Sequence, residues 1–307
     1  MELSAVIPVF NEAAALPGLR TRLLPALQRC TSQYELIFVN DGSGDDTLPL
    51  LKTWAEQDKQ IKVISLSRNF GKEAALTAGL TAAQGQAVVV LDADLQDPPE
   101  LIPQLWEKFR EGYDNVYGVR KDRTADSFFK RVTAGTFYKL YNRLADTPIP
   151  YNAGDFRLLS RRAVEAVLAL PERERFTKGL FTWVGFKSTA VPFTREKRTA
   201  GKTKWNYWKL WNFALGGLTA STTLPLKLWT YFGLCISAAS FLFALWTAYK
   251  KIMFGNPVSG YTSLMVAILF FSGVQLITLG VIGEYLSRIF NEVKQRPAYF
   301  IDEKINL

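Results

Sequence analysis

Four times in its first hundred residues the chain repeats one pattern: an apolar run, a short polar cluster, then a helical stretch. The runs are Leu3 to Phe10, Tyr34 to Val39, Ile61 to Leu66 and Ala87 to Leu91. Helical stretches are expected up to about Cys30, over Thr47 to Gln57 behind a cap at Asp45 or Asp46, and over Gly71 to Ala83. Continuous apolar runs of this kind suit strands covered on both faces. Their alternation with helices argues for an α/β fold: a mostly parallel sheet with right-handed crossovers and helices on both faces. Each polar cluster follows its strand, so Asn11-Glu12, Asp41-Gly42-Ser43, Arg68-Asn69 and Asp92-Ala93-Asp94 fall on one rim. Open α/β sheets bind their ligands at such a rim.

The last cluster carries the most chemistry. Asp92 and Asp94, followed by Gln96, Asp97 and Pro98-Pro99, offer oxygen ligands suited to a hard divalent cation, Mg²⁺ or Mn²⁺, bridging to phosphates. Alone, the motif reads equally well as a solvated turn; its convergence with three other strand-end clusters favours the ligand reading. No G-x-G-x-x-G follows the first strand, and Gly201-Lys202-Thr203 lacks the leading glycine and strand of a P-loop. Downstream, Asn115 to Arg120 reads as an edge strand, and Asn152 to Leu159 as a turn entering a strand with Asp155 and Arg157 on one side.

Composition narrows the chemistry further. The chain of 307 residues has no histidine, which excludes Ser-His-Asp and Cys-His catalysis and leaves carboxylate, Arg and Lys groups. Cys30 and Cys235 have no metal-type spacing. A net charge of +9 calls for an anionic partner, and the basic residues concentrate between Arg120 and Lys227, just before an almost uncharged region. Membrane surface plus phosphate fits that distribution better than nucleic acid. The chain opens directly on a strand-like segment, so no secretory signal is expected.

Residues 228–249 contain no charge before Lys250, and 262–286 none before Glu284. Both are long enough to cross a hydrocarbon core of roughly 30 Å as helices. Gly255-Asn256-Pro257 and Gly260 supply the turn between them. Lys209, Lys227, Arg288, Lys294 and Arg296 flank the pair, against Lys250 and Lys251 in the loop, which places the first domain on the cytoplasmic side of the plasma membrane. The expected organisation is a first domain over 1–204, an interfacial helix over 205–227, two spans over 228–286 and a cytoplasmic tail over 287–307. The basic, aromatic segment at about 121–145 either lies on the membrane or packs on its own domain. Glu284 either pairs with Arg288 or faces a partner helix.

At this level the chain resembles a known family. Pro8-Val9-Phe10-Asn11-Glu12, Asn40-Asp41-Gly42-Ser43 and Asp92-Ala93-Asp94-Leu95-Gln96 look like the signature blocks of family 2 glycosyltransferases of the GT-A fold. Ser67 to Lys72, Gly154-Asp155-Phe156-Arg157, Arg198 to Trp205 and the two-helix hairpin narrow the likeness to the polyisoprenyl-phosphate glycosyltransferases. The Gln-x-x-Arg-Trp motif of processive synthases is absent, which argues against a polymerase. The resemblance implies inverting transfer of one sugar from a nucleotide-sugar, UDP-glucose ahead of GDP-mannose or a modified pentose, to a polyprenyl phosphate. By the same comparison Pro8, Phe10, Glu12, Asp41 and Arg68 hold the nucleotide, Asp92, Asp94 and Gln96 handle diphosphate and metal, and Asp155 is the candidate base. A homo-oligomer, with a tetramer as the candidate state, is also implied.

The acceptor completes the expectation. A phosphate monoester has a second pKa of about 6 and is largely dianionic at neutral pH, so it needs cations more than a base. Arg120, Arg131, Arg198, Lys202 and Lys204 are the candidates to hold it. An ionised Asp155 beside that dianion would be repelled, so it either acts as base or orients a neighbouring arginine. A non-catalytic membrane scaffold is the competing reading, and a transporter would need more polar residues in the spans than Gln275 and Glu284.

Overall fold

A computed structural model describes residues 1–121, 142–143, 148, 150–151, 153–172, 175–194 and 260–307, with scattered positions between 231 and 253. The chain forms two compact units, one from Met1–Gly217 together with Arg296–Leu307, the other from Leu218–Gln295.

The first unit is built on an eight-stranded sheet of order β7-β5-β6-β4-β1-β2-β3-β8. Strands β1 (Leu3–Val9), β2 (Tyr34–Asn40), β3 (Ile61–Leu66) and β4 (Ala87–Val90) run parallel at its centre. Helices α1 (Leu16–Gln28), α2 (Thr47–Gln57) and α3 (Lys72–Ala82) connect them. Strand alternation sorts the side chains onto the two faces. Leu3, Ala5, Ile7 and Val9 of β1 join Leu36 and Phe38 of β2 and Leu16, Leu19 and Leu23 of α1 in one core. Val6, Ile37, Val39, Val88 and Val90 face the other way, onto Ala75, Leu76 and Leu80 of α3. Helices therefore cover both faces. At Gly79 of α3 a Cβ would lie 2.3 Å from Val6 Cγ1, so glycine is what lets this helix approach the sheet.

Beyond α4 (Ile102–Arg110) come β5 (Asn115–Arg120), β6 (Ala153–Ser160), α5 (Arg161–Ala169), α6 (Thr177–Trp183) and β7 (Ser188–Phe193). Strand β6 runs antiparallel to both β4 and β5. The expectation of an edge strand at Asn115–Arg120 is corrected. β5 is interior, with β6 on one side and β7 parallel to it on the other. β7 alternates exposed and buried positions, a weak period-2 signal interrupted by Pro192.

The tail also differs from the expectation. Ile301–Ile305 forms β8, antiparallel to β3 and closing that end of the sheet. Its sequence Ile-Asp-Glu-Lys-Ile is short and charged, as edge strands often are, and gives no apolar run to read.

In the second unit, α7 (Tyr261–Val293) has 33 residues. Its stretch Phe270–Val293 is long and apolar enough to cross a membrane by length and composition. The helix passes through Glu284 and Arg288 rather than ending at Leu286. The other expected span, 228–249, is described only at separated positions, all of them helical. The segment 205–227 and nearly all of 121–145 lie outside the described residues.

Candidate active site

The parallel order β4-β1-β2-β3 puts the carboxyl ends of four strands side by side, and antiparallel β6 brings its first residues to the same rim. The expected clusters accordingly meet. The Asn11 amide donates to Ser43 Oγ at 2.9 Å, and the Gly44 amide to Asn11 Oδ1 at 2.8 Å. The Glu12 amide donates to Thr47 Oγ1 at 3.0 Å, tying the end of β1 to the start of α2. Pro8 and Phe10 lie half-buried in and just after β1.

Asp41 is nearly inaccessible, and its two carboxylate oxygens accept the backbone amides of Phe70 at 2.7 Å and Gly71 at 2.9 Å. Burial pushes its pKa up; the two amide hydrogen bonds and Arg68 oppose that without cancelling it. Next to it, Gly42 has φ 67°, and a Cβ there would lie 2.5 Å from the Arg68 carbonyl carbon. The β2 end and the 67–71 loop are thus in backbone contact, which only glycine permits. Arg68 itself is exposed, its guanidinium 4.2 Å from the Phe70 ring centroid.

Asp92 and Asp94 follow β4. Asp94 is buried and its Oδ1 accepts the Gln96 amide at 3.1 Å, while Gln96 stays half-buried. Between them Leu95 holds φ 57°, an uncommon conformation for a bulky residue. Its side chain is 3 % exposed within the core and packs toward Gly18 of α1, so burial holds the strained turn that aims Asp94 and Gln96.

Lys72, the first residue of α3, joins two of these elements. Its Nζ lies 2.6 Å from Asp92 Oδ1 and 2.5 Å from Asp155 Oδ2. Lys178 of α6 approaches Asp155 Oδ1 at 3.6 Å. Burial disfavours the Asp155 carboxylate, but Lys178 and Lys72 outweigh it and hold its pKa far below the usual range. Burial likewise acts against the Lys72 ammonium, and Asp155 and Asp92 more than reverse that. Glu73, hydrogen-bonded to Thr177, is pushed up to about 7 by burial and then by Asp155, against Lys72 and Lys178.

Arg120 ends β5 half-buried beside the start of β6. A Cβ on Gly154 would sit 4.0 Å from both its Nη2 and Asp97 Oδ2, which places Arg120 at the Asp92–Asp97 loop. Among the described residues its buried Nε has no hydrogen-bond partner. Arg157 is buried over the Phe181 ring at 4.3 Å and donates to the Gly154 carbonyl, a structural placement. Arg131, Arg198, Lys202 and Lys204 lie outside the described residues.

Lys72 is visible in the sequence only as the last residue of the Ser67–Lys72 motif, and Glu73, Thr177 and Lys178 belong to no motif. The usable signal for Lys72 was its position directly after a rim cluster; α6 offers none, because its approach to the rim is tertiary.

The donor set fits a divalent cation shared with a substrate. Among the described residues no three carboxylate, thiol or imidazole groups form a cluster that could cage a metal. Asp92, Asp94 and Gln96 offer oxygen donors of the kind Mg²⁺ takes when phosphate oxygens complete its shell.

A mostly parallel sheet with its strand-end clusters gathered on one rim defines an α/β fold of the GT-A kind. The chain belongs to glycosyl transferase family 2, whose description residues 4–168 match, and residues 224–289 match the GtrB C-terminal hairpin. It is therefore a glycosyltransferase. It is 55% identical to an uncharacterized glycosyltransferase of Synechocystis sp. over 99% of this chain and 95% of the relative. It is 48% identical to the SfII prophage-derived bactoprenol glucosyl transferase of Shigella flexneri, over 98% of this chain and 97% of that one. The prophage bactoprenol glucosyl transferase homolog of Escherichia coli K12 is 46% identical, over 98% of both chains. The hairpin match together with the apolar helix α7 points to membrane association.

Proposed function

We propose that the protein transfers a single glucose from UDP-glucose to a polyprenyl phosphate at the cytoplasmic face of the plasma membrane, with inversion. The observation that carries this reading is the rim, where Asp41, Asp92, Asp94, Asp155 and Lys72 converge. Its support in sequence is the near-full-length likeness to relatives named bactoprenol glucosyl transferases.

In the proposed step an oxygen of the acceptor phosphate attacks the anomeric carbon. The bond from that carbon to the donor's β-phosphate oxygen breaks, and the nucleoside diphosphate departs with the electron pair. The 67–71 loop, Asp41, Glu12, Phe10 and Pro8 form the nucleotide side. Asp92, Asp94 and Gln96 would hold the divalent cation, which supplies Lewis-acid stabilisation of charge on the leaving diphosphate. Arg120 is the described cation of the acceptor set, and Arg131, Arg198, Lys202 and Lys204 complete it as proposals. Two spans and a homo-oligomer belong to the same proposal.

Asp155 is better suited to positioning than to proton transfer. A carboxylate held so low takes up a proton poorly, and a phosphate dianion has none that must be removed. Its work in this reading is to hold Lys72 and Lys178 where phosphate oxygens arrive.

The test is to incubate the purified full chain with undecaprenyl phosphate and a panel of labelled nucleotide-sugars. Labelled lipid from UDP-glucose is the expected result; labelled lipid from another donor alone would replace the sugar, and none from any donor would favour the scaffold reading. In the same assay Asp155→Asn is expected to lower transfer about equally at every pH. Loss of a pH-dependent limb would return Asp155 to the role of base.

A further inference from the structure

The last residues of the chain close the donor side of the sheet. β8 pairs antiparallel with β3, Leu66 standing opposite Ile301, and the pairing continues one step further as the Ser67 amide donates to the Phe300 carbonyl at 3.0 Å. There the Phe300 ring meets the Phe70 ring at a centroid distance of 6.4 Å, tilted by 52°. Tyr299 packs against the core cluster that includes Ala75, Leu76 and Leu80 of α3. The other end of the strand is pinned as firmly. Asn306 Nδ2 donates to the carbonyls of Ala55 at 2.7 Å and Ile61 at 2.9 Å, and Lys52 pairs with Glu303 at 2.5 Å.

What Phe300 touches is the loop that Asp41 organises. The Phe70 and Gly71 amides have to sit where the Asp41 carboxylate can accept both, and Gly42 presses on the Arg68–Asn69 backbone. Phe300 supports the same loop through one backbone hydrogen bond at Ser67 and one ring contact at Phe70. Loops hold a binding geometry only as well as their supports do.

We propose that Phe300 is a positioning residue for the nucleotide: the C-terminal strand forms part of the donor site by fixing the 67–71 loop against Asp41. This rests on the reading of Asp41 and that loop as the nucleotide side. In this proposal Phe300 acts through the loop rather than on the substrate, so its effect falls on donor affinity and leaves the lipid acceptor aside.

The experiment uses the full chain in detergent, with UDP alone as the probe. UDP affinity is measured by calorimetry and exchange of the Phe70 and Gly71 amides by hydrogen–deuterium exchange, in the parent, Phe300→Ala, Phe300→Leu and Phe300→Tyr. The aromatic contact is worth a factor of about three to ten. Phe300→Ala is therefore expected to weaken UDP binding by about that factor, to speed exchange at Phe70 and Gly71 but not in β1, and to raise the donor KM while leaving the polyprenyl phosphate KM alone. Phe300→Tyr, which keeps the ring, is expected to restore parental values. Phe300→Leu keeps apolar bulk and provides the readout should Ala loosen the whole strand. Parental affinity and exchange in both Ala and Leu variants would overturn the proposal while leaving the donor-site reading standing. If UDP fails to protect Phe70 and Gly71 in the parent, the donor-site reading falls and the proposal with it.

Discussion

At the scale of single residues, charge at the rim is balanced between neighbours. Asp92 and Asp155 face Lys72, and Lys178 adds a second cation to Asp155. In the proposed reaction an arriving diphosphate or phosphate meets ammonium groups already aimed by carboxylates, which lowers the reorganisation that binding requires. Glu73 is the titrating member of this set. Its folded-state pKa of about 7 exceeds the ordinary value of 4.5, so the folded chain binds the extra proton between them and stability falls as pH rises through that window. Glu73→Gln removes the charge and keeps a hydrogen-bonding partner for Thr177. Thermal unfolding should give a higher Tm for the variant than for the parent at pH 8 and nearly equal values at pH 5; no gain at pH 8 would contradict the assignment. Asp92, Asp94 and Asp41 could be picked out from sequence because each directly follows an apolar strand. Lys178 and Thr177 could not, since they reach the rim from a short helix 104 residues beyond Glu73 in the case of Thr177.

At the scale of elements, the four parallel strands and their helices were legible because burial on both faces leaves unbroken apolar runs. Thr47–Gln57 and Ile61–Leu66 fall where the residue pattern placed them. The half of the sheet beyond β4 was harder. β5 carries polar Asn115 and Arg120 and a Gly at 118, so it reads as an edge, yet two strands flank it. At Gly118 a Cβ would meet the Phe193 ring at 2.9 Å, a contact with β7 that no local pattern announces. The turn after β2 is the element on which the proposed nucleotide side depends. Gly42→Ala puts a methyl group into the Arg68–Asn69 backbone at a positive φ, which costs about 1–3 kcal/mol. A matching loss of stability and weaker UDP binding are expected in calorimetry. A variant that binds UDP as the parent does would show that the loop need not sit against this turn.

At the scale of the whole molecule, the chain joins an α/β unit to an apolar one, and its last twelve residues, Arg296–Leu307, return to the first. The long uncharged stretches made the second unit legible as membrane-directed, and the GtrB C-terminal hairpin match agrees. The return of the tail was not legible, because five residues with three charges look like a solvated end until β3 is there to pair with them. A histidine-free glycosyltransferase is coherent at this scale. Its proposed acceptor is an anion that needs holding, and the net charge of +9 is of the sign that purpose requires. The central claim is that Asp92 and Asp94 handle a metal-bound diphosphate while a lipid phosphate attacks. The most direct test is transfer of label from UDP-glucose to undecaprenyl phosphate by the purified full chain, before and after EDTA. The expected result is a labelled lipid that disappears with EDTA and returns with Mg²⁺ or Mn²⁺; undiminished transfer after thorough chelation would contradict the claim.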